Sequence, residues 1–346
     1  MPVLEPFKAL FYGEKAGKLS DLIFVPGEEI RQPTARHHIR RLAQGASSIA
    51  KLIEEGILQQ DGENALFIYR QRFRFPGEEV ESVREGVTGL LSADAIRRVL
   101  RHEETVTDRT KACSRERQRM RADLSSLLLW CDDDDARITS LLSIRNGAKP
   151  WWEVTDQTGC VHQLWRIVDP GWITSVQTLL RGKEVFLADG HHRFAAKWQL
   201  ATIQIRTNAL RTLAVHRLLL ADTPLDLRSA YPVASLAEVS AATRAGAVRF
   251  GVHDGETLLV FELSSSSYEQ LLRTARTQPI RDSCQAIQAV RRNEAQLAFL
   301  LDPLPVSEIV ARARGGALLP PKSTDFYPKL AEGLVLHWLG KHALRN

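Results

Sequence analysis

The chain has 346 residues, 44% of them hydrophobic and 25% charged, which is the balance of a globular protein with material for one large core or two smaller ones. No run of eighteen apolar residues occurs, and Met1-Pro2-Val3-Leu4-Glu5-Pro6 lacks the basic start and apolar stretch of a secretory signal, so no membrane span is expected and the protein reads as cytoplasmic. Four cysteines without Cys-x-x-Cys spacing exclude a disulfide framework or a thiolate zinc site, and a net charge of +5, with the basic residues gathered around 109–121, fits an anionic ligand but is too little to argue nucleic acid.

The first clear element is Ala65–Phe75, ALFIYRQRFRF, whose pattern predicts a strand. Pro76-Gly77 turns it into a second strand over EEVESVREGVTGLL. Ser92 is placed to cap a short helix near Ala93–Arg101. Thr107–Ala122 is so rich in Arg, Lys and Glu that it reads as a solvated helix or a mobile arm. Ser126–Trp130 is a short apolar strand ending at the acidic loop Asp132–Asp135, with a helix near Ala136–Ile144 after it.

Trp151–Thr155 and Val161–Val168 flank the turn Asp156-Gln157-Thr158-Gly159 and predict a hairpin. Asp169 and Pro170 are the cap and first residue of a helix ending near Arg181-Gly182. Glu184–Ala188 is a compact buried strand running into Asp189-Gly190. Phe194, Ala195, Trp198 and Ala201 recur at helical spacing, which predicts a helix from His191 to about Ala201. A strand over Arg211–Leu220 follows, in which His216 and Arg217 point to opposite faces. The remainder reads as a helix near Leu236–Ala245, a strand near Glu256–Leu263, a short loop at Ser264–Ser267 and helical stretches to about Arg314. Three prolines exclude regular structure from Leu319–Lys329.

The expected fold is mixed α/β, with mixed or antiparallel sheets and packed helices. Two lobes are expected, 1–145 and 146–346, with the break between 140 and 150 and the motif in the second.

Chemistry concentrates at Asp189-Gly190-His191-His192-Arg193. A strand end, a tight turn and a helix start aim backbone N–H groups at one spot, and two histidines and an arginine add donors, which together suit phosphate. Gly190 permits a positive φ or a close backbone approach. Arg193 can pair with phosphate oxygens, and Asp189 can hold magnesium or take a proton. In a purely structural reading Asp189 caps the helix and Arg193 pairs with a surface acid. A zinc site from His191, His192 and His216 is a further reading, weakened because adjacent histidines rarely point the same way.

Two other clusters stand out. His102-Glu103-Glu104-Thr105 precedes the basic segment with Lys111, Arg115 and Arg119, and Glu103 is a candidate base or metal ligand or else a solvated ion-pairing acid. Lys322-Ser323-Thr324 sets a cation before two hydroxyls in a Pro-bounded loop, which can bind phosphate or carboxylate but lacks the Gly-rich loop of a Walker motif.

In order along the chain, Glu5-Pro6-Phe7-Lys8-Ala9-Leu10, Tyr69-Arg70-Gln71-Arg72-Phe73, His102-Glu103-Glu104-Thr105, Ala188-Asp189-Gly190-His191-His192-Arg193, His216-Arg217 and Pro321-Lys322-Ser323-Thr324-Asp325-Phe326-Tyr327-Pro328-Lys329 resemble the bacterial and archaeal family known as domain of unknown function 1015. That resemblance spans nearly the whole chain and marks the motif and the C-terminal loop as site elements without implying a reaction. More distantly, Asp189–Arg193 is similar to the phosphate-gripping strand-turn-helix of the ParB and sulfiredoxin superfamily, including its free-serine kinases. Members bind ATP, ADP or CTP with it, and the kinases phosphorylate the hydroxyl of a small amino acid. The chain departs from the nearer family at Val25-Pro26-Gly27-Glu28-Glu29, where relatives usually carry Pro-Pro-Tyr-Asp-Val, keeping an acid at Glu28 but losing the tyrosine. It departs again at Cys113-Ser114, where an Asp-Arg pair often follows the lysine, here Lys111.

The expectation is therefore a nucleotide-dependent phosphotransferase acting on the hydroxyl of a small metabolite such as a serine-like amino acid, using ATP or ADP, or CTP, with Mg2+. Asp189, Glu103 and Glu28 are the expected catalytic carboxylates, with Asp189 and Glu103 also the metal ligands. Gly190, His191, His192, Arg193, Lys322, Ser323 and Thr324 are expected to hold phosphate or nucleotide, and His102, His216 and Arg217 the substrate. A nucleotide-binding regulator without turnover and a metal-assisted phosphoester hydrolase are the alternatives, and a homo-oligomer is compatible with each.

Overall fold

A computed structural model of the chain describes residues 3–26, 33–143, 147–220, 228–235, 247–254 and 256–340. It divides into two compact units, the first made of Met1–Arg101, Thr105–Leu210 and Pro328–Asn346 and the second of His102–Glu104 and Arg211–Tyr327. The break expected between 140 and 150 falls inside the first unit. The hairpin Trp152–Thr155 and Val161–Ile167 pairs with the strand Leu66–Arg74, so hydrogen bonds tie the segment beyond 150 to the sheet that precedes it.

The first unit is built on an eight-stranded sheet. From one edge it runs Phe186–Asp189, Leu127–Cys131, Leu200–Ile205, Glu81–Leu91, Leu66–Arg74, Val161–Ile167 and Trp152–Thr155, with Leu4–Glu5 also pairing on Glu81–Leu91. Leu200–Ile205 runs parallel to Leu127–Cys131, and the other pairs in this sheet are antiparallel, so the sheet is mixed as expected. One face packs Leu66, Ile68, Leu129, Leu187 and Ile203 against the helices Arg137–Leu142 and Pro170–Arg181. Asp169 caps the second of these, its carboxylate accepting from Trp172 N at 2.6 Å. Ser92 accepts from Ala95 N at 3.1 Å at the start of Ala93–Arg98. The acidic loop has a structural use, since the Asp133 carboxylate accepts from Ile138 N and Thr139 N. Close packing shows at Gly86, where a Cβ would lie 2.1 Å from Ile203 O of the adjacent strand.

The second unit holds a six-stranded antiparallel sheet in the order Tyr231–Pro232, Leu258–Ser264, Ala247–His253, Leu297–Leu300, His216–Leu219 and Thr277–Ile280. Apolar clusters lie on both of its faces, one around Leu218, Ala286 and Ala298 and the other around Leu219, Phe261 and Phe299.

Several elements differ from the sequence reading. Helix His191–Ala195 stops after five residues because Lys197 turns with a φ of 63°, and Leu200–Ile205 is a strand. That strand is buried at each of its residues, so its apolar run mimicked a helical face. Arg211–Leu220 splits into Arg211–Leu213 and His216–Leu219. Ser264 is a helix cap for Ser265–Thr274 rather than part of a loop, and Ala247–His253, Thr277–Ile280 and Leu297–Leu300 are strands within the stretch read as mostly helical. Asp325–Tyr327 pairs with Arg211–Leu213 inside the proline-rich loop. The basic segment is a helix, Thr107–Met120. The helix expected at Leu236–Ala245, and Glu28, lie outside the described residues. No described helix is long and apolar enough to cross a membrane.

Candidate functional site

In the first unit the motif begins on an edge strand. Phe186 and Leu187 pair with Trp130 and Leu129, then the register shifts so that Asp189 stands opposite Leu128. Such a bulge re-aims the side chains beyond it. Gly190 follows with φ 94° and ψ 27°, and a Cβ there would lie 2.8 Å from Leu127 Cδ2 and 3.2 Å from Arg193 Nη2. Both the left-handed backbone and the space require glycine. Gly190→Ala is expected to lower stability by roughly 1–3 kcal/mol and to displace the Arg193 guanidinium, read as a lower melting temperature.

Around this turn the side chains form a compact charged group. Arg193 Nη1 donates to Ser125 Oγ, and Ser125 is in turn hydrogen-bonded to the Glu332 carboxylate. Glu332 Oε1 lies 3.6 Å from Arg193 Nη1. Lys329 Nζ and Arg193 Nη2 both approach Asp189 Oδ2, at 3.5 and 3.9 Å. The Arg193 guanidinium also lies 6.0 Å over the Trp198 ring. Burial pushes the Glu332 carboxyl up to about 7, with Asp189 and Glu116 acting in the same direction, while Arg193 and the Ser125 hydrogen bond oppose it. Carboxyls poised near neutrality with charged partners in a part-buried site are a mark of proton-transfer sites. His192 Nε2 accepts from Val106 N at 3.0 Å, tying the motif to the start of the basic helix, and His191 is buried.

Ser125, Lys329 and Glu332 were not among the expected site residues. Lys329 ends the quoted C-terminal motif and Glu332 lies three residues beyond it, but no spacing in the sequence points either of them at Asp189 or Arg193.

In the second unit Glu103 organises the Lys322-Ser323-Thr324 loop. Its carboxylate accepts from Lys322 N at 3.0 Å, from Thr324 N at 2.8 Å and from the Thr324 hydroxyl. With that hydroxyl proton directed at Glu103, the oxygen accepts from His102 Nε2 at 2.9 Å. Ser323 Oγ donates to Pro320 O, and Arg217 Nη2 donates to Pro321 O and Lys322 O. Lys322 itself has a φ of 63° and is exposed. His216 Nδ1 accepts from Leu301 N at 3.1 Å, and burial holds its imidazole below the ordinary range. His102, Glu103, Arg217 and Lys322–Thr324 are thus brought together within this unit, and Asp189–Arg193 with Lys329 and Glu332 within the other. The nitrogens of His192 and His216 named here are engaged with backbone N–H groups, which leaves the zinc reading without those donors. Among the described residues a set with metal-ligand atoms within 4.8 Å of one another is Asp156, Cys160 and His162, in the first unit.

Residues 21–238 match the family described as "Protein of unknown function (DUF1015)". The chain belongs to that family. Among solved structures, a free serine kinase in complex with AMP is 12% identical, the likeness covering 72% of this chain and 92% of that one at a TM-score of 0.41. A conserved hypothetical protein from Pyrococcus furiosus is 12% identical over 72% of this chain and 95% of that one, with a TM-score of 0.41. SbnI from Staphylococcus aureus, truncated at its C-terminus, is 11% identical over 71% and 85%, with a TM-score of 0.38. No curated protein matches the chain.

Proposed function

We propose that this member of the family is a nucleotide-dependent phosphotransferase that moves a phosphoryl group onto the hydroxyl of a small metabolite such as a serine-like amino acid. The observation that carries the reading is the convergence of Lys329 and Arg193 on Asp189 at a glycine turn, with the Glu332 carboxyl on the far side of Arg193. Phosphoryl transfer is mostly positioning and neutralisation of charge. Arg193, Lys329, His191, His192 and the Gly190 backbone hold the phosphates of ATP, ADP or CTP. The Asp189 carboxylate suits magnesium, which takes one or two carboxylates and completes its shell with phosphate oxygens and water. When bound, the ion neutralises phosphate charge. The acceptor oxygen forms a bond to phosphorus, the bond from phosphorus to the leaving nucleotide breaks, and the hydroxyl proton passes to a carboxylate, Asp189 or Glu28. Within the second unit, His102, Glu103, Arg217, Lys322, Ser323 and Thr324 form a separate polar cluster suited to a carboxylate or phosphate. A regulator that binds nucleotide without turnover is the second reading, favoured by Cys113-Ser114 standing where relatives often carry Asp-Arg.

Incubation with ATP, ADP or CTP, magnesium and a panel of hydroxy amino acids is expected to give a phosphorylated product detectable by 31P NMR. Asp189→Ala abolishes it, and Arg193→Ala lowers the rate at least about a hundredfold. Nucleotide binding by calorimetry with no product from any acceptor supports the regulator. Neither binding nor product overturns both.

A further inference from the structure

The Tyr69-Arg70-Gln71-Arg72-Phe73 motif has no part in the site described above. Its strand sorts it into two faces: Arg70 and Arg72 pair with Glu85 and Glu81, whereas Tyr69, Gln71 and Phe73 are buried. On the buried face Gln71 Nε2 donates to Lys329 O at 2.9 Å. Arg84, on the neighbouring strand and fully buried, donates to Gln71 Oε1 and to Pro328 O, both at 2.6 Å, with its guanidinium 5.9 Å over the Phe73 ring. Tyr69 Oη accepts from Ala331 N at 3.3 Å and bonds His162 Nδ1 at 2.7 Å, while His162 Nε2 bonds Asp156 Oδ2 at 2.8 Å. The other Asp156 oxygen accepts from Thr158 N, Thr158 Oγ1 and Cys160 N.

Every proton in this chain has one consistent place. The Asp156 carboxylate takes the His162 Nε2–H, which leaves Nδ1 with a lone pair for the Tyr69 O–H. The tyrosine oxygen then has a lone pair for the Ala331 N–H. A hydrogen-bonded series that is buried and complete fixes one geometry, because any slip strands a polar group away from water. The backbone it grips, Pro328–Ala331, carries Lys329 and leads directly to Glu332, the two residues that meet Asp189 and Arg193. Glu332 is also bridged to Phe24 and Leu336 to Leu10, but both of those contacts lie beyond Ala331.

We propose that Tyr69, Gln71, Arg84, His162 and Asp156 are positioning residues for the phosphate site, acting through the Pro328–Ala331 backbone to set Lys329 and Glu332 against the Asp189–Arg193 turn. The functional part of this inference rests on the phosphate-binding reading above, and the positioning part does not. Tyr69→Phe tests both, since it removes one hydroxyl and keeps the ring. The expected result is a folded variant by circular dichroism with at least about tenfold faster amide exchange at Ala331, as for loss of one hydrogen bond. The Glu332 carboxyl, followed by 13C NMR and assigned with Glu332→Gln, titrates closer to the ordinary carboxylate range, and ADP binds roughly tenfold more weakly by calorimetry. Arg72→Ala, on the outward face of the same strand, changes none of these. If Tyr69→Phe does not fold, Gln71→Glu replaces it, since it keeps an acceptor for Arg84 and removes the Nε2 donor to Lys329 O and Cys160 Sγ. The same change in titration is expected, with exchange at Ala331 as in the wild type because its bond to Tyr69 is intact. Wild-type exchange at Ala331 and wild-type Glu332 titration in a folded variant overturn the positioning role. A wild-type protein that binds none of ATP, ADP and CTP overturns the phosphate reading, while exchange and titration still decide the positioning.

Discussion

Glu332→Gln is expected to stabilise the protein at pH 8 by about 3 kcal/mol and to flatten its stability between pH 5 and 7. Burial raises the folded-state pKa of Glu332 from the ordinary 4.5 to about 7, so the folded protein holds this proton more tightly than the unfolded chain does. The resulting stabilisation is complete below about pH 4.5, falls as the pH rises through 7 and is absent above. Glutamine resembles the protonated acid at every pH and so escapes the loss, although it gives up the charge facing Arg193 at 3.6 Å. Urea unfolding of both proteins at pH 5 and pH 8 measures the difference. Equal slopes of stability against pH in the two proteins would show that Glu332 ionises normally, and the site would lose its near-neutral acid. If Glu332 assists proton transfer, the same variant also flattens the pH–rate profile near 7.

Glu103→Ala is expected to lower the stability of the second unit by about 3 kcal/mol, because it strips the acceptor from Lys322 N, Thr324 N and the Thr324 hydroxyl at a buried position. Glu103→Gln recovers part of this, since one oxygen remains and the amide N–H faces donors. Amide exchange at Lys322 and Thr324 reads the loop directly, which matters in a chain of two units whose unfolding need not be one step. A Glu103→Ala protein of unchanged stability and loop protection that has lost turnover would instead make Glu103 the base that its place in the sequence suggested.

How far the sequence carried depends on whether a signal was local. The hairpin of Leu66–Arg74 with Glu81–Leu91 was legible because Pro76-Gly77 separates two strand patterns, and the Ser92 and Asp169 caps because a capping side chain acts on a backbone N–H three residues away. Leu200–Ile205 was not, since a strand buried on both faces loses its alternation and an apolar run then fits a helix equally well. Ser264 was read as part of a loop although the same residue type caps a helix there, because only the chain that follows decides between the two. In the site, Asp189–Arg193 declared itself as a dense run of functional residues after a buried strand. Lys329 and Glu332 did not, since they reach the motif from about 140 residues away through backbone bonds to Gln71 and Tyr69.

By itself, then, the sequence determined the strand and glycine turn of the motif and the start of its helix at His191, the family to which the chain belongs and the mixed α/β class. Each of these follows from residue type and short spacing, where backbone sterics and side-chain burial act over a few residues. Tertiary structure decided the surroundings of each carboxylate. Glu332 gained its raised pKa from burial, with Asp189 adding to it against the pull of Arg193, and Glu103 was enlisted to hold a loop more than 200 residues further on. Desolvation and hydrogen bonding between distant segments set those roles, and neither is written in the order of residues around the acids themselves.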